Sequence, residues 1–122
     1  LSILKMEGVW MYVATATHRR LTEKALKTAG IDHCFRGIVT SADAGSHKSE
    51  SAEIYEMALR RLQSNKRDTV VFEDALYAAR TAKAAGFRVA GVYDVTAEKD
   101  QAELQRICDY YIRSYEELVE TL

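Results

Sequence analysis

The sequence has no proline, only two cysteines and almost no net charge. Its 17 Lys and Arg residues nearly balance its 18 Asp and Glu residues, and the formal charge of −1 gives no electrostatic case for binding nucleic acid or an anionic membrane. Cys34 and Cys108 form no metal-type cluster in the sequence, so we expect reduced thiols and a cytoplasmic protein. No apolar run approaches the roughly 20 residues that a membrane helix needs.

Several well-known catalytic fingerprints are missing as well. The sequence holds no GxGxxG, no GxxxxGK[ST] and no GxSxG, and it therefore lacks the dinucleotide, Walker A and nucleophile-elbow signatures. His18, His33 and His47 do not stand at metal-ligand spacing with the cysteines, so no zinc-type site is indicated.

The sequence does show a regular alternation of strand-like and helix-like segments. Its 122 residues, 48% of them apolar, are enough for one domain with a real core, which we expect to span residues 1–122. Strands are predicted at residues 9–15, 37–40, 69–72, 88–92 and 110–112. Helices are predicted at residues 19–29, 52–62, 75–85, 100–108 and 114–121, with a helix end at 1–7 and a polar loop at 41–51. This order predicts an α/β fold with a mostly parallel sheet and right-handed crossovers.

The stretch that organises the rest is residues 68–86. A β-branched run at residues 69–72 predicts a strand buried on both faces, and Glu73 and Asp74 follow it directly, where an alanine-rich helix begins. Ligands bind beyond the carboxyl ends of strands in open α/β sheets. Two interpretations stay open: the carboxylates hold Mg²⁺, or Asp74 caps the helix with Glu73 near its positive end.

Two further sites in the sequence also have both a structural and a functional interpretation. Thr15 and Thr17 lie at another turn from strand to helix, where Thr17 could simply cap the helix. Lys48 stands in the polar loop, where a solvated charge is the simpler interpretation. A hydroxyl, an ammonium and a carboxylate pair on one rim of a parallel sheet suit phosphoryl transfer, because the first two neutralise phosphoryl oxygens and the carboxylates hold Mg²⁺.

The order and spacing of these residues resemble the haloacid dehalogenase superfamily of phosphohydrolases, in the subgroup that includes β-phosphoglucomutase. Residues 11–17, MYVATAT, resemble the second motif of that family, and Lys48 before EIYEMAL resembles the third. Residues 70–94, VVFEDALYAARTAKAAGFRVAGVYD, resemble the fourth motif and the strand after it. The likeness covers nearly the whole chain, from about residue 3 to residue 122.

The resemblance implies a role for each candidate residue. Thr15 would bind the transferring phosphoryl group, Lys48 would neutralise it and orient the nucleophile, and Asp74, with Glu73, would hold Mg²⁺. Further residues would line the pocket for a small phosphorylated metabolite: Ala16, Thr17 and His18. The implied fold is a Rossmann-like, three-layer parallel sheet of the haloacid dehalogenase type.

One departure from the family is large. Its first motif, DxD, supplies the aspartate that attacks phosphorus and the general acid/base, and no two aspartates of this sequence are separated by one residue. The strand that carries this motif would lie between the strand ending in Thr15 and the strand ending in Asp74. We therefore expect the carboxyl-terminal part of a core domain, lacking the first, central strand and the cap. Another chain or an upstream segment would complete the sheet.

Three functional hypotheses follow. The chain is part of a Mg²⁺-dependent phosphatase or phosphomutase that works through an aspartyl-phosphate, and it is inactive alone. Alternatively, it is a catalytically inactive module of the same fold that binds a phosphorylated ligand or a protein partner. A phosphoryl-receiver domain has a similar length and alternation, but it begins with an acidic pair and places lysine last, the reverse of the order here.

Overall fold

The structure is a computed structural model that describes residues 2–114 and residue 116. It divides into two compact units, Leu1–Ser64 and Asn65–Leu122, which are described separately. The expectation of one domain over residues 1–122 therefore stays a prediction. Within the described part of the chain, no helix combines the length and the apolar character that crossing a bilayer requires.

The first unit contains a two-stranded parallel sheet with helices packed against it. Its helices and strands are α1 (Ser2–Met6), β1 (Val13–Thr15), α2 (Arg19–Thr28), β2 (Ile38–Thr40), α3 (Ser41–Ala44) and α4 (Glu53–Leu62), with a 3₁₀ turn at Asp32–Cys34. Thr15 lies opposite Thr40 in the register of β1 and β2. Helix α4 packs against both strands and buries Ile54 and Tyr55. The two strands therefore end side by side, and α4 closes one face behind them.

Two predictions in this unit are wrong. Thr17 does not cap α2, because the cap residue is His18, whose side chain accepts the backbone N–H of Arg20. The predicted loop at residues 41–51 contains α3, because Thr40 and Asp43 form a reciprocal capping box that stabilises a helical turn in a polar segment. The first strand is also shorter than predicted, since only Val13–Thr15 pairs with β2.

The second unit contains a three-stranded parallel sheet. Its elements are β3 (Val70–Glu73), α5 (Leu76–Ala84), β4 (Arg88–Val92), α6 (Gln101–Ile107) and β5 (Tyr110–Ile112), with 3₁₀ turns at Lys66–Asp68 and Val95–Asp100. The strand order is β3-β4-β5. Helix α5 packs on β3 and β4, and the fully buried Phe87, Val89 and Leu104 form the centre of the core. The predicted helix at residues 114–121 lies largely outside the described residues.

The strand β3 differs from its prediction in burial. Val70, Val71 and Phe72 are half-buried, and only Glu73 is buried. The reason is that β3 is the outermost strand of its sheet, bonded to β4 alone within the described residues. The predicted parallel α/β architecture is confirmed, and so is the expectation that the described strands do not form one continuous five-stranded sheet.

Candidate active site

Residues 15–18, here called the threonine loop, connect the end of β1 to the start of α2. The Thr17 N–H donates to Thr15 Oγ1 at 3.1 Å, and the Thr22 hydroxyl on α2 donates to the His18 carbonyl at 3.1 Å. Thr15 is half-buried, whereas Ala16, Thr17 and His18 are exposed. The loop thus presents a hydroxyl and the amino-terminal N–H groups of a ten-residue helix, which is an arrangement that suits an anion.

Lys48 is buried beside this loop. The residue is only 8% exposed, and its Nζ donates to the Ala14 carbonyl at 2.9 Å. The ammonium also lies 5.6 Å from the ring centroid of Tyr55, itself 4% exposed. The interpretation of Lys48 as a solvated surface charge is therefore wrong. The ammonium thus bonds the residue that precedes Thr15 in the first unit.

An ionic network connects the carboxyl end of β2 to the start of α2. Asp43 Oδ2 accepts the Thr40 N–H at 2.9 Å and the Arg19 Nη2 at 2.7 Å. The backbone N–H of Thr40 is the main cause that lowers the pKa of Asp43 from 3.8 to about 2, and the Arg19 guanidinium adds to it. Asp43 is therefore ionised at every physiological pH.

The carboxylates lie in the second unit, at the ends of two neighbouring strands. Glu73 ends β3 and is 8% exposed, and Asp74 follows it, exposed. Asp74 does not cap α5, since the cap residue is Ala75 without a side-chain bond. Asp94, which follows β4, accepts the Thr96 N–H at 3.1 Å. That hydrogen bond chiefly lowers the pKa of Asp94, and the Asp74 carboxyl adds a smaller lowering.

Asp94 was missed by the sequence reasoning. The signal that could have found it is its place two residues after a predicted strand, because adjacent parallel strands bring the residues after their carboxyl ends together. Here Glu73 lies opposite Gly91 in the register of β3 and β4, which brings the segments after both strands to the same edge.

The carboxylate oxygens at this edge of the sheet are the type of ligand that Mg²⁺ prefers. All these ligands are hard oxygens, and Asp74 and Asp94 follow neighbouring strands, where two ionised carboxylates would repel each other unless a cation compensates them. Among the described residues, no three His, Cys, Asp or Glu side chains cluster as a metal site. Mg²⁺ does not need such a cluster, since it usually binds through one or two carboxylates together with waters and substrate oxygens.

Comparisons with known proteins identify the family of the chain. The profile of the haloacid dehalogenase-like hydrolase family matches residues 1–92. Protein CbbY of Cereibacter sphaeroides is 37% identical over 87 residues, covering 69% of this chain and 37% of that protein. A crystal structure of a protein assigned as a β-phosphoglucomutase from Thermotoga maritima superposes with a TM-score of 0.82 at 25% identity, covering 99% of this chain and 57% of that one.

A third relative was crystallised with a ligand. CbbY from Rhodobacter sphaeroides in complex with phosphate superposes with a TM-score of 0.81 at 27% identity, covering 96% of this chain and 52% of that one. This chain thus spans about half the length of the solved structures it matches. The chain belongs to the haloacid dehalogenase-like hydrolase family, and its fold is that of the β-phosphoglucomutase-like members.

Proposed function

We propose that this chain is the larger part of the core of a cytoplasmic, Mg²⁺-dependent phosphatase or phosphomutase for small phosphorylated metabolites. The observation that carries the proposal is Lys48, a buried ammonium bonded to the Ala14 carbonyl immediately before the Thr15 hydroxyl. Negative charge beside a buried ammonium is favourable, because little water screens the attraction. A phosphoryl group on the threonine loop would supply that charge.

Each side chain has a defined task in the proposal. The Thr15 hydroxyl and the N–H groups of the threonine loop donate to phosphoryl oxygens, and Lys48 neutralises them, as phosphoryl transfer requires. Ala16 and Thr17 line the same pocket. Asp74, with Glu73, would hold Mg²⁺, which supplies positive charge against the phosphoryl group when bound. The meeting of these two sets of residues around one substrate is part of the proposal.

The nucleophile must come from outside this sequence, since no DxD pair exists in it. An aspartate carboxylate would attack phosphorus and displace the alcohol of the substrate, and water would then hydrolyse the aspartyl-phosphate. The strand that carries it, from another chain or an N-terminal extension, would add to the free edge of β1 or β3. In support of this, β1 pairs only with β2, and β3 only with β4, within the described residues.

A matched pair of lysine variants tests the proposal on the chain itself. Lys48→Met removes the buried ammonium, and Lys24→Met removes an exposed one from α2. We expect inorganic phosphate to shift the amide signals of Thr17 and His18 in the NMR spectrum. Lys48→Met should weaken this binding at least tenfold, or about 1.4 kcal/mol, and Lys24→Met should not. Equal binding by both variants would contradict the role of Lys48.

Catalysis is tested with a longer form. Aryl phosphate hydrolysis with Mg²⁺ should be absent in this chain and present when a strand ending in Asp-x-Asp is supplied by an extended gene product. If neither form hydrolyses the aryl phosphate, the second candidate function is favoured. That candidate is a catalytically inactive module of the same fold that binds a phosphorylated ligand or a protein partner. The absence of a DxD pair from the sequence is the observation that keeps this candidate open.

A further inference from the structure

We propose that Asp43 is a positioning residue: it fixes Arg19, and through Arg19 the threonine loop, in the arrangement that binds a phosphoryl group. The ligand named here rests on the proposed function, whereas the effect on the loop does not. Asp43 lies on α3, a turn that the sequence pattern predicted as loop, and it is not part of any motif that the resemblance to the family singled out.

Arg19 is the first link between the loop and β2. It is the first residue of α2, directly after the threonine loop. Its Nη2 donates both to Asp43 Oδ2 at 2.7 Å and to the Ile38 carbonyl at 2.8 Å. One guanidinium thus ties the beginning of α2 to the first residue of β2 and to a carboxylate 24 positions away in the chain.

Asp43 is itself held at the carboxyl end of β2. The same Oδ2 that binds Arg19 accepts the Thr40 N–H at 2.9 Å, and Thr40 Oγ1 accepts the Asp43 N–H at 3.2 Å. Thr40 is only 4% exposed and lies opposite Thr15 in the parallel register. Thr15 is therefore connected to Thr40 by the pairing of β1 and β2. Hydrogen bonds through Asp43 and Arg19 then connect Thr40 to the threonine loop.

This hydrogen-bonded network explains how an exposed loop keeps a fixed shape. Ala16, Thr17 and His18 are all exposed, so burial does not hold them in place. Binding an anion through backbone N–H groups needs those groups preorganised, because small displacements at such a site are costly to function. The charge of Asp43 makes the bond to Arg19 stronger than a neutral hydrogen bond.

The test uses two variants that break the link in different places and two controls. Asp43→Asn removes the charge but keeps an oxygen for the Thr40 N–H, and Arg19→Gln leaves the capping box intact. Asp43→Glu is the rescue, because glutamate at this helix position also completes a capping box and still offers a carboxylate. Glu53→Gln breaks another exposed ion pair of the first unit, that with Arg60 at 2.7 Å.

The first readout is amide hydrogen exchange at Thr17 and Arg20, whose N–H groups donate within the loop. We expect Asp43→Asn and Arg19→Gln to speed this exchange roughly fivefold, by easier local opening. Asp43→Glu should stay within about twofold of the parent chain, since the link is restored, and Glu53→Gln should leave the exchange unchanged. Parent-like exchange in both breaking variants would overturn the proposal, and so would an equal rise in Glu53→Gln.

The second readout is the affinity for inorganic phosphate, followed by the same amide signals. It should fall about fivefold in Asp43→Asn and recover in Asp43→Glu, because a loop that opens more easily binds less tightly. If Asp43 only stabilised another part of the unit, its substitution would not change the phosphate affinity and the exchange rates of the loop together. If the parent chain binds no phosphate at all, the proposed function and the ligand named here are both overturned, while the exchange rates still decide whether Asp43 positions the loop.

Discussion

Gly91 offers a prediction whose size follows directly from the packing of β4. A Cβ added at this residue would lie 3.0 Å from Leu104 Cγ and 3.1 Å from Cys108 Sγ, well inside the 3.5–4.0 Å of a favourable contact. Leu104 is fully buried and has little space into which to move. We therefore expect Gly91→Ala to destabilise the second unit by about 2 kcal/mol, within the range for overpacked cores.

The partner variant makes the prediction a double-mutant cycle. Leu104→Ala should cost about 3 kcal/mol, because it deletes a fully buried side chain and leaves a cavity. In the double variant the new Cβ at Gly91 enters that cavity, so the two costs should fall short of additivity by at least about 1 kcal/mol. Leu21→Ala is the matched control, since Leu21 is 61% exposed, and it should change stability by less than about 0.5 kcal/mol.

The assay is urea unfolding followed by hydrogen exchange of the amides in β4, which report on the second unit. At an m-value of about 2 kcal/mol per molar, a loss of 2 kcal/mol shifts the midpoint by about 1 M. Additive costs in the double variant would refute the reasoning, and so would a Gly91→Ala variant as stable as its parent. Gly91 lies opposite Glu73, so the single variant should also weaken Mg²⁺ binding under the proposed function.

Three further predictions concern the charged groups. Because the pKa of Asp43 is lowered to about 2, its contribution to stability is fully present above pH 3.8 and is lost as the pH falls towards 2. Unfolding midpoints measured from pH 5 to pH 2 should therefore fall less steeply in Asp43→Asn than in the parent chain. Asp74→Asn should weaken Mg²⁺ binding at least tenfold in a calorimetric titration, since it removes a ligand charge, and an unchanged affinity would exclude Asp74 as a ligand. Asp94→Asn should weaken Mg²⁺ binding by a smaller factor, because we expect its carboxylate to attract the ion without binding it directly. Lys99→Met is the control and should leave the Mg²⁺ affinity unchanged.

The regular elements could be predicted because their signals are local. Short runs that contain valines, such as Val70–Glu73 and Arg88–Val92, favour strands. Gly30, with its φ of 72°, marks the end of α2 as predicted. The parallel arrangement followed from strict alternation, since helical crossovers connect parallel strands. The candidate residues at strand ends followed from the same rule and from the family resemblance.

What could not be predicted depends on contacts between distant residues. The bond from Arg19 to Asp43 joins positions 24 apart, and no periodicity signals it. Asp94 gains its meaning only when β4 pairs with β3. The choice of His18 over Thr17 as the helix cap depends on the turn of the backbone after β1, which lets His18 Nδ1 accept the Arg20 N–H.

The burial of Lys48, which is only 8% exposed, places a positive charge where little water reaches it. Removing an ammonium from water costs roughly several kcal/mol, and the bond to the Ala14 carbonyl and the nearby Tyr55 ring offset part of this cost. Lysine at this position carries a desolvation cost that an apolar side chain would avoid, as often holds for functional residues. A bound phosphoryl group would change this balance, because the buried ammonium would then face a charge of opposite sign. Lys48→Met should therefore lose phosphate while the first unit keeps its hydrogen-exchange protection, a combination that a purely structural lysine would not show.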